Sequence, residues 1–232
     1  MASVSKVTTY DASNAIREDL ANIIYDISPV DTPFMSNIGR DTASNTYFEW
    51  QTDELAAAGA NAAVEGANAG DADFDATLRV ANYAQISTKV VSVSNTSDAV
   101  NTAGMKTVMA YQQAKKAKEL KRDMEYILLS NQAASAGSTS TARNTAGLPA
   151  WLQTNVQANG ATKGTMSGAG GNGYPNAAFT NLSTSTDVAF TEAMLKTAQQ
   201  QAWSEGGNPS ILMVGPYNKT VASAFAGLAE QR

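Results

Sequence analysis

The sequence predicts an α+β chain whose strands come early and whose helices dominate later. Three patterns carry that reading. Alternating apolar and polar residues flank a long Ala- and Gly-rich connection within 46–92, as in a two-stranded hairpin. An unbroken helical pattern crosses 105–131. A helix, a short apolar run and a second helix follow between 191 and 230, the order of one α/β layer.

Residues 1–13 read as extended and polar. Asn14 is placed to cap a helix over about 15–27, whose Ile16, Leu20, Ile23, Ile24 and Ile27 fall on one face. Glu18 and Asp19 lie near its positive end, and Pro29 stops it. Ser28-Pro29-Val30-Asp31-Thr32-Pro33 reads as a turn, and Phe34, Met35 and Ile38 as a short apolar step ended by Gly39. The first helix has little nearby sequence to cover its apolar face. It is expected to dock on the main body or on a neighbouring subunit.

In Thr46-Tyr47-Phe48-Glu49-Trp50-Gln51-Thr52, Phe48 and Trp50 share one face and Glu49 and Gln51 the other, which predicts a strand. A second strand region is expected over 78–93, where Val80, Ala84, Ile86 and Val90 share a parity interrupted by Asn82 and Thr88. The connection 55–77 is 23 residues of mainly Ala, Gly, Asn and Asp. Loops beyond about 12–15 residues in a compact domain are usually functional or disordered, and an isolated hairpin is marginal in water. The hairpin is therefore expected to lean on something outside its own chain.

A short helix at about 96–102 and a turn at Ala103-Gly104 precede the long helix at 105–131. Its Val108, Tyr111, Ala114, Ala117, Leu120, Met124, Ile127 and Leu128 recur at helical spacing, with Lys115, Lys116, Lys118, Lys121 and Arg122 on the other face. At ~1.5 Å per residue it would span about 40 Å. Residues 132–150 read as loop, Trp151-Leu152-Gln153 as the start of a small ordered piece, and 158–176 as Gly-rich. Thr191 caps a helix to about Glu205, with Phe190 and Leu195 placed as a hydrophobic staple and Gly206-Gly207 ending it. Ser210, Ile211, Leu212, Met213 and Val214 read as a buried strand, Gly215-Pro216 as a turn, and 217–230 as a helix with Val221, Phe225 and Leu228 inward. A single buried strand needs partners, so the sheet is expected to continue past Arg232 in a longer polypeptide.

Composition limits the chemistry. The 232 residues include no Cys and no His. That excludes disulfides, thiolate nucleophiles, His general bases and the usual His-based zinc sites. Charged residues make up 16%, against about 25% in typical domains, so much of the surface is not expected simply to face water. The formal net charge of −5 is uneven: 13 acids and 3 bases in 1–75, then 8 bases and 4 acids in 76–125. Either these regions attract each other between copies of the chain or each is a solvated face. The net acidity argues against wrapping nucleic acid tightly. No stretch approaches the ~18 continuous apolar residues of a membrane span, and MASVSKVTTYDASNA has no apolar segment of a secretory signal.

Gly168-Ala169-Gly170-Gly171-Asn172-Gly173 matches G-x-G-x-x-G, but a turn-rich tract precedes it and Pro175 follows. A flexible loop is the better reading than a dinucleotide site. Asp71-Ala72-Asp73-Phe74-Asp75 begins like a calcium loop, yet Ala76 and Asn82 stand where Gly and Glu are needed. It reads as an acidic hairpin tip. Ser3-Val4-Ser5-Lys6 matches S-x-x-K without its partner motifs. The cations of 115–122 either touch phosphates or form a solvated or intersubunit helix face. No nucleophile, base and orienting group come together, so no catalytic, cofactor-binding or metal-binding residue is assigned.

The strings Glu18-Asp19-Leu20, Ile24-Tyr25, Ser28-Pro29-Val30-Asp31-Thr32-Pro33-Phe34, Glu49-Trp50-Gln51-Thr52-Asp53, Ala117-Lys118-Glu119-Leu120-Lys121-Arg122-Asp123-Met124-Glu125 and Gly147-Leu148 occur in a telling order. They follow the succession docking arm, two-stranded loop, long helix, α/β domain. Together they resemble the major capsid proteins of tailed bacteriophages, with the Hong Kong 97-type fold. The likeness covers nearly the whole chain, most strongly 16–55 and 79–131, and is weakest in 158–176. Members of that family continue past the point that matches Arg232.

The resemblance implies an N-terminal arm at 1–45, an extended loop at 46–92, a peripheral domain with its spine helix at 93–140, and an incomplete axial domain at 141–232. It implies a structural shell protein and no enzyme, cofactor or membrane partner. Hexamers and pentamers would tile an icosahedral head around packaged double-stranded DNA, in loose and non-specific contact with it. Scaffold, portal and decoration proteins are further candidate partners. The location would be the virion shell, assembled in the cytoplasm of a bacterial host. The intersubunit contacts expected are Ile16, Leu20, Ile23 and Ile24 on the arm, and Phe48, Trp50, Glu65, Asp71, Asp73 and Asp75 on the extended loop. Lys115, Lys118 and Arg122 are expected as a charged partner face on the spine helix. Two alternatives come from other classes: a nucleotide-dependent enzyme built on 168–173, and a filament or surface subunit.

Overall fold

The computed structural model describes residues 23–68, 70, 76–157, 162–180 and 188–225. Helix and sheet are mixed among them, as expected of an α+β chain. The chain divides into two compact units, Met1–Asp31 with Thr88–Arg122, and Thr32–Ser87 with Asp123–Arg232.

In the first unit, helix α2 (Asn95–Ala99) is capped by Ser94, whose hydroxyl accepts the Ser97 N–H at 3.2 Å. Asp98 of α2 then accepts the N–H groups of Val108 and Met109 at 2.9 and 3.2 Å. Those are free donors at the start of helix α3 (Val108–Leu129), whose last residues, from Asp123, belong to the second unit, so a carboxylate from the neighbouring helix caps it. The helix therefore begins three residues later than the sequence pattern predicts, beyond Gly104 in its left-handed turn (φ 78°). It ends where the Ser130 hydroxyl donates to the Ile127 carbonyl at 2.8 Å. At ~1.5 Å per residue it is about 33 Å long, and none of its side chains is buried.

The second unit is built on a hairpin. Strands β1 (Tyr47–Thr52) and β2 (Leu78–Tyr83) pair antiparallel, from Tyr47 opposite Tyr83 to Thr52 opposite Leu78. The expected second strand was longer, 78–93. Pairing stops at Tyr83 because its partner strand starts at Tyr47, and past the Ala84 N–H to Thr46 carbonyl bond (2.8 Å) residues 85–93 pair with no strand among the described residues. On its other edge β2 is bridged in parallel by Gly173. The Ala81 N–H donates to the Gly173 carbonyl, and the Gly173 N–H donates to the Arg79 carbonyl, both at 2.8 Å. The Asn172 side chain accepts the Arg79 N–H at 2.9 Å. Gly173 has φ 87° and would push a Cβ into the Ser167 hydroxyl, so the position requires glycine.

Around β2 lie helix α4 (Leu148–Trp151) and strands β3 (Thr165–Met166) and β4 (Pro175–Ala177), joined by a 3-10 turn at Ala169–Gly171. The buried apolar residues are small: Ala81, Ala134, Ala146 and Ala150, with Pro175 beside them. Tyr83, Trp151, Tyr174 and Ala178 pack against the alanines. Ring centroids of Tyr83 and Tyr174 are 5.1 Å apart, edge to face, and those of Tyr47 and Tyr83 4.9 Å apart. Asn82, only 8% exposed, accepts the buried Ala146 N–H at 3.1 Å. Gly147 packs directly on the Ser130 carbonyl, with no room for a side chain. Helix α1 (Pro33–Asn37), the expected apolar step, is held to α3 by Glu125.

Helix α5 (Glu192–Ser204) matches the sequence reading closely: Thr191 caps it through the Met194 N–H at 3.3 Å, and Gly206 (φ 81°) follows its end. Helix α6 spans Pro216–Ser223, and Phe225, just beyond its end, reaches Phe190 with ring centroids 5.3 Å apart. Three expectations are corrected. Residues 23–27 carry no helix, and the rest of the helix expected at 15–27 lies outside the described residues. Residues 210–214 form no strand and are not buried; Ile211 is 61% exposed. A run of apolar residues becomes a buried strand only if another strand supplies its hydrogen bonds, and none among the described residues does so. The Gly-rich 162–177 is no slack loop but a short hairpin seated on β2.

Two outcomes follow. Asn82→Ala leaves the Ala146 N–H buried without an acceptor and should cost about 1–3 kcal/mol, read as a fall in denaturant midpoint, whereas exposed Asn45→Ala should stay within about 0.5 kcal/mol of the parent. The phenols of Tyr47 and Tyr83 are pushed above the ordinary 10.0 chiefly by burial, then by Glu49 for Tyr47 and by Tyr174 for Tyr83. The folded state thus favours the protonated phenols, a stabilisation complete below pH about 10 and lost as pH rises through the raised folded values. Tyr47→Phe combined with Tyr83→Phe should move alkaline unfolding, followed by circular dichroism, to higher pH; an unmoved midpoint contradicts this.

Candidate functional site

Among the described residues, the side chains expected to touch other molecules lie on surfaces. The hairpin presents two faces. Phe48 and Trp50 stack on each other with centroids 6.1 Å apart, and Trp50 leans on Trp151 at 5.4 Å. Trp50 nevertheless remains 41% exposed. The opposite face carries Glu49 and Arg79, 3.9 Å apart and well solvated, a pair worth at most ~1 kcal/mol. Beyond Thr52 the chain leaves the sheet. Leu55 and Val64 are 98% and 81% exposed. The described part of the connection has one turn, closed by the Ala67 N–H on the Val64 carbonyl, where Gly66 takes φ 82°. Glu65 lies in that turn and is exposed. Asp71, Asp73 and Asp75 lie outside the described residues, so the calcium-like string does too.

The α3 face carries Lys115, Lys118 and Arg122, all exposed. Lys118 meets Asp26 at 3.6 Å, while Lys115 and Arg122 make no ion pair among the described residues. Lys116 is spoken for: it binds Glu119 one turn on at 2.6 Å, and that hydrogen bond holds the Glu119 carboxyl below its usual range. On the arm, Ile16 and Leu20 lie outside the described residues; Ile23 and Ile24 are exposed, as are Tyr25 and Ile27. The structure therefore leaves Ile23, Ile24, Glu65, Lys115, Lys118 and Arg122 on open surface and half-covers Phe48 and Trp50.

The G-x-G-x-x-G string has a structural role. The Gly173 N–H is bound by Arg79 and the Gly168 N–H by Asn172, so these donors are not presented to a phosphate. Neither a preceding Rossmann-type strand nor a following helix is present at 168–173. Among the described residues no cluster of three or more carboxylates could hold a metal ion, and no helix is long and apolar enough to cross a membrane. Sequence reasoning missed Asn82, Asn172 and Gly173 as the fastenings of the hairpin root. The only trace of them in the sequence is a polar residue interrupting a strand parity.

Against this geometry stand the known relatives. The family described as SU10 major capsid protein matches residues 4–232. The major capsid protein of Escherichia phage Phieco32 is 33% identical over 254 residues, covering 99% of this chain and 71% of that protein. The resemblance to phage major capsid proteins read from the sequence is borne out, and with a match over almost its entire length the chain belongs to the SU10 major capsid protein family.

Proposed function

We propose that this chain is the structural subunit of a tailed-phage head, assembling with copies of itself as hexamers and pentamers into an icosahedral shell around double-stranded DNA. Its membership of a major capsid family supports a head-shell role. The observation that carries the mechanism is the placing of its large apolar side chains: Ile27 is 96% exposed and Leu55 98%, and Val64, Val90 and Tyr217 are similarly open. Full burial of each aliphatic side chain is worth about 1.5–3 kcal/mol. Covered by sister subunits, these positions supply an assembly energy that the isolated chain forgoes.

In this reading the chain has a Hong Kong 97-type layout, with an arm at 1–45, an extended loop at 46–92, a peripheral domain at 93–140 and an axial domain at 141–232. Ile16, Leu20, Ile23 and Ile24 of the arm, and Phe48, Trp50, Glu65, Asp71, Asp73 and Asp75 of the loop, contact neighbouring subunits. Charge complementarity supports the pairing: the 53–77 segment carries six acids and no base, and 115–122 carries five bases and one acid. Lys115, Lys118 and Arg122 then receive a sister loop. Contact with DNA is loose and non-specific, in keeping with the net charge of −5. The chain works by surface, without catalysis, and is made in the bacterial cytoplasm. Scaffold, portal and decoration proteins are the further partners of such a shell. The nucleotide-enzyme alternative has little support, because the Gly168, Asn172 and Gly173 donors are already bonded and no helix opens after Gly173.

Purified chain examined by sedimentation and electron microscopy should give capsomers or closed shells. Removal of 55–77 should leave subunit helicity intact and abolish shell closure. A persistent monomer, helical filaments, or closed shells from the deletion would each overturn the proposal.

A further inference from the structure

Helix α1 is five residues long, too short to hold itself. Its N-cap Thr32 makes no side-chain hydrogen bond, and Pro33 in the first turn has no N–H to offer. The next two free donors go to one distant carboxylate. Glu125 of α3 accepts the Phe34 N–H on Oε1 at 3.2 Å and the Met35 N–H on Oε2 at 3.1 Å. Both bonds are charge-assisted, and the negative group sits at the positive end of the small helix. Among the described residues no other hydrogen bond or ion pair ties 33–45 to a distant part of the chain. A local Ser or Asp cap would satisfy the same donors without tethering anything. Here the donors are satisfied by a group 90 residues away in sequence, so capping and tethering are one interaction.

We propose that Glu125 is the anchor of the N-terminal arm, a positioning residue whose two-oxygen clamp fixes α1 on α3 and so fixes the point from which the preceding residues set out toward a neighbouring subunit. The assembly consequence rests on the head-shell reading above; the clamp itself does not. Its effect on assembly passes through α1. With Glu125 removed, the exposed Asp26–Lys118 pair is a weak remaining tie of the arm to α3, so a sister subunit must order a longer segment on binding.

The test measures hydrogen exchange at the Phe34 and Met35 amides of the unassembled chain, together with shell yield by electron microscopy. Glu125→Ala should speed exchange at both amides by about ten-fold or more, while the Ala81 amide, bonded to Gly173, stays as slow as in the parent. Glu125→Gln keeps the shape but offers a single acceptor oxygen, and should fall between. Shell yield should drop in the same order. Should Glu125→Ala fail to fold, the Gln variant decides both readouts. Unchanged exchange at Phe34 and Met35 overturns the clamp. Released amides with shells at parental yield overturn the anchor. A parent that forms no shells sinks the head-shell reading, and the exchange data still decide the clamp.

Discussion

Strand β2 is hydrogen-bonded along both edges, by β1 on one side and by Asn172 and Gly173 on the other, and the second unit depends on that arrangement. Asn82 extends it out of the strand plane to the Ala146 N–H. Gln85 and Gln132 continue the network: the Gln132 side-chain amide donates to the Thr145 carbonyl at 2.7 Å, and Gln85 accepts the Thr145 N–H at 3.2 Å. A buried donor left unmade costs about 1–3 kcal/mol, whereas an exposed pair such as Glu49 with Arg79 contributes ~1 kcal/mol or less. The polar fastenings outweigh the surface ion pairs in holding the hairpin root.

The small core has a consequence for function. Alanines at 81, 134, 146 and 150 let backbones approach closely enough for those hydrogen bonds. They bury little apolar area in return. The large apolar side chains are placed instead on the arm, the hairpin connection, the stretch after β2 and the helices near the C-terminal end. A monomeric protein that exposes so many of them is prone to associate. In a family of capsid subunits such association is expected, and the proposed support of the hairpin's far end by sister subunits calls for a rigid root.

The elements legible in the sequence were those whose signals are local. Phe48 and Trp50 set the β1 faces, helical spacing gave α3 within three residues at its start, and Thr191 gave the α5 cap with its bonded donor. Signals that depend on distant partners failed. Ser210, Ile211, Leu212, Met213 and Val214 read as buried because apolar runs usually are, but burial needs a second element that the run itself does not encode. Glycines 168, 170, 171 and 173 carry no side-chain pattern, so their seat on β2 was invisible. Asn82 looked like a flaw in a strand and is its buried tie. Of the candidate contact residues, composition pointed to the acidic loop and basic helix, and geometry leaves the described ones open to solvent; the family likeness, carried by long strings, was the part of the function most readable from sequence.

The central claim is that side chains left in water by the single chain are covered by its copies. Hydroxyl-radical footprinting of the same preparation before and after assembly measures this residue by residue. Oxidation at Ile27, Leu55 and Val64 should fall sharply on assembly, while the already sheltered Tyr83 and Trp151 change little. Equal reactivity of Ile27, Leu55 and Val64 in subunit and shell would contradict the account.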